Sequence, residues 1–98
     1  MITNGNYLAK EIAYRNNEDG GYSVVRDSID EIFTDLFNFA CENPELESDW
    51  KNYEQMHTTI YKDEYYVDKD DIHYLIQHDI VTNDLVLYEL KEIENYEH

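Results

Sequence analysis

The chain has 98 residues, which is enough for one folded domain spanning residues 1–98. It carries 23 Asp and Glu residues against 7 Lys and Arg, and this net charge of −16 argues against binding to nucleic acid or to an anionic membrane. Because 42% of the residues are hydrophobic and 14% are aromatic, the chain differs from acidic sequences that stay disordered, and we expect it to fold.

The N-terminal region favours a short helix that Asn4 caps and that runs through Leu8 and Ile12. This helix would end in the Asn- and Gly-rich loop at 16–21. A hairpin that pairs residues 12–14 with residues 22–24 across the loop is the alternative.

The clearest predicted element is an amphipathic helix between residues 22 and 43. At about 100° per residue, its apolar side chains fall within an arc of roughly 160°. These are Val25, Ile29, Ile32, Phe33, Leu36, Phe37, Phe39 and Ala40. The remaining arc is acidic and holds Asp27, Asp30, Glu31, Asp35 and Glu42. Ser23 or Ser28 is the predicted cap, the latter in a capping box with Glu31, and Asn43-Pro44 ends the helix.

A second helix is predicted from Pro44 to about Met56, with Leu46, Trp50 and Tyr53 on one face. The following segment, near 57–67, is rich in Thr, Ile, Tyr and Val around Lys62-Asp63. It forms either a small β-hairpin or an irregular loop.

The C-terminal region, about 69–95, is predicted to be helical after a start at Asp68, Asp70 and Asp71. Its apolar face continues through Ile72, Leu75, Ile76, Ile80, Val86, Leu87, Leu90 and Ile93. The Thr82-Asn83-Asp84 triplet leaves open whether this is one helix or two. The predicted fold is thus mainly α, with about four helices in a small helical domain.

Catalytic and metal sites find little support in the sequence. The aspartates at 68–71 lack the glycine and distal glutamate of a calcium loop, and His73 and His78 are wrongly spaced for a zinc helix. We expect surface or boundary positions for both histidines and a half-buried structural position for Cys41. The sequence therefore predicts no enzyme activity, no metal and no cofactor.

Location follows from what the sequence lacks. No apolar run approaches the roughly 20 residues of a membrane span, and the N-terminus does not have the pattern of a signal peptide. Cys41 is the sole cysteine, which fits a reducing compartment. We expect a protein that acts in the cytoplasm of a bacterial host cell.

The spacing of the helical acids suggests a DNA-like surface. Asp27, Glu31 and Asp35 are four residues apart, or about 6 Å along a helix axis. Successive phosphates on one DNA strand are separated by roughly 6–7 Å. Averaged over the whole surface the charge is more dilute than that of DNA, so mimicry requires the acids to concentrate on one stripe.

The chain resembles the small acidic DNA-mimic proteins of phages, namely the Ocr-like anti-restriction proteins and, more loosely, the acidic anti-CRISPR proteins. The resemblance rests on size, on acidity throughout the chain, on the Asp-rich segment before Ile72-His73-Tyr74-Leu75-Ile76 and on the closing segment 90–97. It implies a mostly helical homodimer shaped like bent DNA that occupies the DNA groove of type I restriction enzymes.

These observations predict a decoy that binds the basic DNA channel of a type I restriction enzyme or a CRISPR effector. The predicted partner-binding residues are Asp27, Asp30, Glu31, Asp35, Glu42, Asp63, Glu64, Tyr65, Tyr66, Asp68, Asp70, Asp71, Glu89 and Glu92. The alternative is an immunity or antitoxin protein for one basic nuclease toxin. Such a protein would depend on the adjacent tyrosines 65 and 66 as interface anchors.

Overall fold

The computed structural model describes residues 7–16, 28–44, 48–53 and 62–92. Within these ranges the chain forms β1 (Tyr7–Asn16), α1 (Ile29–Glu42), β2 (Lys51–Asn52), β3 (Lys62–Lys69), β4 (Ile72–Asp79) and β5 (Asp84–Glu92). The strands make one antiparallel sheet in the order β2-β1-β5-β4-β3. The predicted mainly α fold of about four helices is therefore wrong.

Helix α1 agrees with the sequence prediction over its described length. Ser28 is the N-cap, and its carbonyl oxygen accepts a hydrogen bond of 3.0 Å from the Ile32 N–H. Its side chain makes no capping hydrogen bond, so the predicted capping box with Glu31 is wrong. The helix ends at Glu42, directly before Asn43-Pro44, as the restriction on a residue preceding proline predicts. Residues 22–27 of the predicted helix, including Asp27, lie outside the described residues.

Strand β1 replaces the helix predicted through Leu8 and Ile12. It pairs with β5 along its length and with β2 at Leu8 and Ala9. The hairpin alternative correctly predicts an extended backbone at 12–14, but its partner segment 22–24 lies outside the described residues. A β-bulge between Glu11 and Ala13 shifts the register, which places Ile12 and Ala13 together on the helix side of the sheet.

The helix predicted from 44 to 56 is also wrong within 48–53. Lys51 and Asn52 form β2, and Tyr53 follows at once as a buried residue that packs against the sheet. Trp50 contacts two ammonium groups, since Lys10 Nζ lies 5.6 Å and Lys91 Nζ 5.1 Å from its ring centroid. Trp50 and Tyr53, whose spacing resembled one face of a helix, thus contact separate parts of the sheet.

The C-terminal half is a β-meander instead of one or two helices. Lys62 and Asp63, expected in a small β-hairpin or an irregular loop, lie within β3, and the turn between β3 and β4 is Asp70-Asp71. These aspartates therefore do not start a helix. The triplet 82–84, for which one helix or two was left open, lies at a turn between two strands, with Asp84 as the first residue of β5. In this turn the Asp79 carboxylate accepts hydrogen bonds from the backbone N–H groups of Val81 and Thr82.

Burial on both sheet faces explains why the pattern resembled a helix. Five consecutive residues of β4, Tyr74 to His78, are buried, so the alternation of a half-exposed strand is lost. One face packs under α1, where Phe33 and Leu36 contact a cluster that includes Ile76 and Leu87. The opposite face, called the tyrosine face here, buries Tyr7, Ala9, Tyr53, Leu75, Tyr88 and Leu90.

Candidate functional site: an acidic stripe and an adjoining groove

An acidic stripe runs along the outward surface of α1. Glu31, Asp35 and Glu42 are all exposed and fall within an arc of about 40° at 100° per residue. From first to last they span about 16 Å at 1.5 Å rise per residue. The stripe is exposed because Phe33 and Leu36 bury the other side of the helix against the sheet. Two of its residues, Asp35 and Glu42, also line a groove beside β1. Asp30 is also exposed, but it is turned about 100° away from Glu31.

A groove of about 420 Å³ adjoins this stripe where α1 passes β1. Two aromatic rings on its wall, those of Tyr14 and Phe39, remain 48% and 42% exposed. The Tyr14 hydroxyl donates a hydrogen bond of 2.9 Å to Asp84 Oδ2, which anchors the ring. The groove is lined by Tyr14, Arg15, Asp35, Leu36, Asn38, Phe39 and Glu42.

One ion pair crosses the groove. Arg15 Nη1 lies 2.5 Å from Asp35 Oδ2, and more than half of each side chain is exposed. An ion pair in this setting contributes little to stability because water and salt screen it. The pair shows that a guanidinium group fits beside the stripe.

The predicted tyrosine pair is divided between the two sheet faces. Tyr65 packs against the cluster under α1, and its hydroxyl donates to Asp63 Oδ2 at 3.5 Å. The Tyr66 hydroxyl instead shares a hydrogen bond with Tyr53 on the tyrosine face. Successive side chains of a strand point to opposite faces, so Tyr65 and Tyr66 do not form one contact patch.

Glu64 lies at the centre of a hydrogen-bond network on the tyrosine face. Its Oε2 accepts a bond of 2.9 Å from Gln77 Nε2, and its Oε1 lies 3.4 and 3.3 Å from the hydroxyl oxygens of Tyr53 and Tyr66. Burial is the main cause that raises the pKa of Tyr53, and the hydrogen bond to Tyr66 adds to it. Burial also raises the pKa of Tyr66. At neutral pH these phenols therefore remain protonated and act as donors, which gives Glu64 a structural role.

The remaining predicted acids lie in separate places. Asp68, Asp70 and Asp71 are exposed at the β3–β4 end, where Asp68 Oδ1 is 2.7 Å from His73 Nδ1. Glu89 pairs in register with Lys10, and Glu92 is exposed at the end of β5. A single stripe of acids would need the C-terminal acids to extend the α1 stripe from neighbouring helices. The described residues contain no such helices, because this part of the chain is β-sheet.

Two smaller expectations are corrected as well. His78 is fully buried, and its Nε2 lies 3.0 Å from Asn83 Oδ1, whereas a surface or boundary position was predicted. Cys41 is exposed instead of half-buried. Within the described ranges, no group of three or more His, Cys, Asp or Glu side chains is placed to hold a metal ion.

The sequence prediction did not include Tyr14, Arg15 or Phe39 among the binding residues. Phe39 carried a signal, because it lies at the edge of the predicted apolar arc, next to the acids. Tyr14 and Arg15 carried no sequence signal that points to α1, because their place beside the helix depends on the position of β1 in the sheet.

The chain matches no protein-family model, no curated protein and no solved structure. The likeness to phage DNA mimics thus stays a prediction from the sequence. In the part of the chain that the structure describes, no helix has both the length and the apolar character needed to cross a membrane.

Proposed function

We propose that this protein is a DNA-mimic inhibitor that occupies the DNA-binding groove of a bacterial host-defence nuclease, either a type I restriction enzyme or a CRISPR effector. The observation that carries the proposal is the outward acidic stripe Glu31, Asp35 and Glu42 on α1. A basic DNA channel is the partner surface that such a stripe complements.

The spacing of the stripe supports this function. Glu31 and Asp35 are separated by about 6 Å along the helix axis, close to the roughly 6–7 Å between successive phosphates of one strand. Glu42 extends the charge by about 10 Å more. Leu36, only 1% exposed, fixes the helix on the sheet and so holds these carboxylates in place before any partner arrives.

The distribution of charge over the rest of the molecule agrees with a protein partner. No Asp or Glu in the described ranges is buried, so these carboxylates contribute to the field around the molecule. Lys10 and Lys91 lie over Trp50, and Lys69 Nζ lies 5.6 Å from the Phe37 ring centroid. Arg15 contacts Asp35 and offsets part of the charge of the stripe.

Competition with DNA tests the proposal. A type I restriction enzyme and Cas9 are each mixed with labelled target DNA, and DNA binding is measured by mobility shift as the protein is added. We expect DNA to be displaced from one of them, with displacement weakening steeply as salt rises from about 0.05 to 0.3 M. Inhibition of cleavage without loss of bound DNA would contradict the DNA-mimic function.

A matched pair of variants tests whether the stripe makes the contact. Glu31→Gln with Glu42→Gln and, as the control, Asp70→Asn with Asp71→Asn each remove two negative charges. We expect the stripe variant to weaken inhibition by about tenfold and the control by less than about threefold, because close charge pairs matter more than distant ones. Equal losses would show that only total charge matters.

A further inference from the structure

We propose that the groove between β1 and α1 receives an arginine side chain of the basic partner. This inference rests on the proposed function and deepens it, because it names the side chain that the site recognises. The groove offers a planar cation two aromatic rings, those of Tyr14 and Phe39, beside the carboxylates of Asp35 and Glu42.

The groove has two exposed aromatic rings that can attract a cation. Tyr14 and Phe39 each expose over two fifths of their surface although they lie beside a helix–sheet contact that buries Leu36. A guanidinium or ammonium group is attracted to the face of such a ring within about 6 Å. The chain already uses this interaction elsewhere, with Lys69 over Phe37 and Lys91 over Trp50.

The groove also has carboxylates that suit a guanidinium group. Asp35 already binds the guanidinium of Arg15 in this groove, which shows that the local geometry suits this group. Glu42 lies seven residues further along the helix, on the same arc as Asp35, and extends the negative wall. These charges repel an anionic group and attract a cation more strongly than a neutral donor.

Arginine fits the combination better than lysine does. Its flat guanidinium stacks on an aromatic ring while its N–H groups donate to a carboxylate in a fixed fork. The ammonium of lysine is a compact, strongly hydrated charge that lacks the flat surface. A groove that pairs rings with carboxylates therefore discriminates between two residues of equal charge.

Two peptides of equal length and charge test this inference on the full chain. Fluorescein-labelled nona-arginine and nona-lysine are titrated with the protein at about 0.05 M salt, and anisotropy gives the two dissociation constants. We expect the arginine peptide to bind at least about threefold more tightly. Phe39→Leu should reduce this ratio to about one, and Phe39→Trp should keep or increase it, because Trp is the strongest aromatic partner for a cation.

A charge control separates the groove from the general acidity. Asp70→Asn with Asp71→Asn should weaken both peptides equally and leave their ratio unchanged. Because Phe39 is exposed, its variants should fold, and near-ultraviolet circular dichroism verifies this. Equal affinity of the two peptides for the wild-type protein, or a ratio that survives Phe39→Leu, would overturn the inference.

The failure of this inference differs from failure of the proposed function. If the nuclease loses its DNA while both peptides bind equally, the arginine site is wrong and the DNA-mimic function stands. The opposite outcome is that the arginine peptide binds more tightly, Phe39→Leu abolishes this preference, and neither enzyme loses its DNA. The groove is then an arginine site and the proposed function is wrong.

Discussion

Glu64 accepts a hydrogen bond from Gln77 and lies within hydrogen-bond distance of the linked hydroxyls of Tyr53 and Tyr66, so one partly buried carboxylate joins β3, β4 and the residue after β2. Nearby phenols must stay neutral to donate to it, and the surroundings favour that state. Burial raises the pKa of Tyr88 to about 12, and the charges of Glu11 and Glu64 act in the same direction. Ionisation of Tyr53, Tyr66 or Tyr88 is therefore expected to weaken the tyrosine face.

At the residue scale, we predict an alkaline limit to stability that depends on Tyr88. An unfolded tyrosine has a pKa near 10 and the folded one about 12, so ionisation favours the unfolded chain. The stabilisation is complete below about pH 10 and is lost as the pH rises towards 12, on the order of 2 kcal/mol. Urea unfolding between pH 8 and 12 measures this loss. In Tyr88→Phe the loss should be smaller, and an unchanged pH dependence would contradict the assignment.

At the element scale, the β3–β4 turn has two aspartates where most hairpins prefer other residues. Asp70 and Asp71 have φ angles of 55° and 65°, and Lys69 pairs with Ile72 across them. This is the geometry of a two-residue type I′ turn, for which Asn-Gly is strongly preferred. The turn therefore carries a backbone cost, together with two adjacent negative charges.

We predict that Asp70→Asn with Asp71→Gly stabilises the protein. Asparagine and glycine accept positive φ more readily than aspartate does, and the expected gain in the free energy of unfolding is about 1 kcal/mol. Urea denaturation measures the gain. The control is Asp70→Ala with Asp71→Ala, which removes the same charges but does not favour positive φ. Its free energy of unfolding should be lower than that of the Asn-Gly variant. Equal stability of the two variants would attribute the effect to charge.

At the scale of the whole molecule, the net charge of −16 opposes folding through self-repulsion. We predict that the melting temperature rises as salt increases from about 0.01 to 0.15 M, since the Debye length falls from about 30 to 8 Å. Calorimetry or circular dichroism measures the shift. Glu31→Gln with Glu42→Gln should reduce the dependence on salt, and a melting temperature independent of salt would show that repulsion is unimportant.

The sequence by itself determined helix α1, its two faces and its end before Pro44. Those properties follow from local spacing: Phe33 and Leu36 recur with the helical period, and Glu31, Asp35 and Glu42 fall on the other side of the helix. The acidic stripe could therefore be predicted in part, because a helix fixes the relative positions of its own residues. The large negative charge likewise follows from the composition alone.

Only the tertiary structure decided the sheet and the groove. The run Tyr74–His78 is buried on both faces, so neither a period of two nor a polar face revealed a strand. Asp70-Asp71 is as compatible with a helix start as with a turn until β3 and β4 pair. Phe39, Tyr14 and Arg15 line one groove because the sheet brings β1 under α1. Such contacts join residues far apart in the chain, and local spacing carries no information about them.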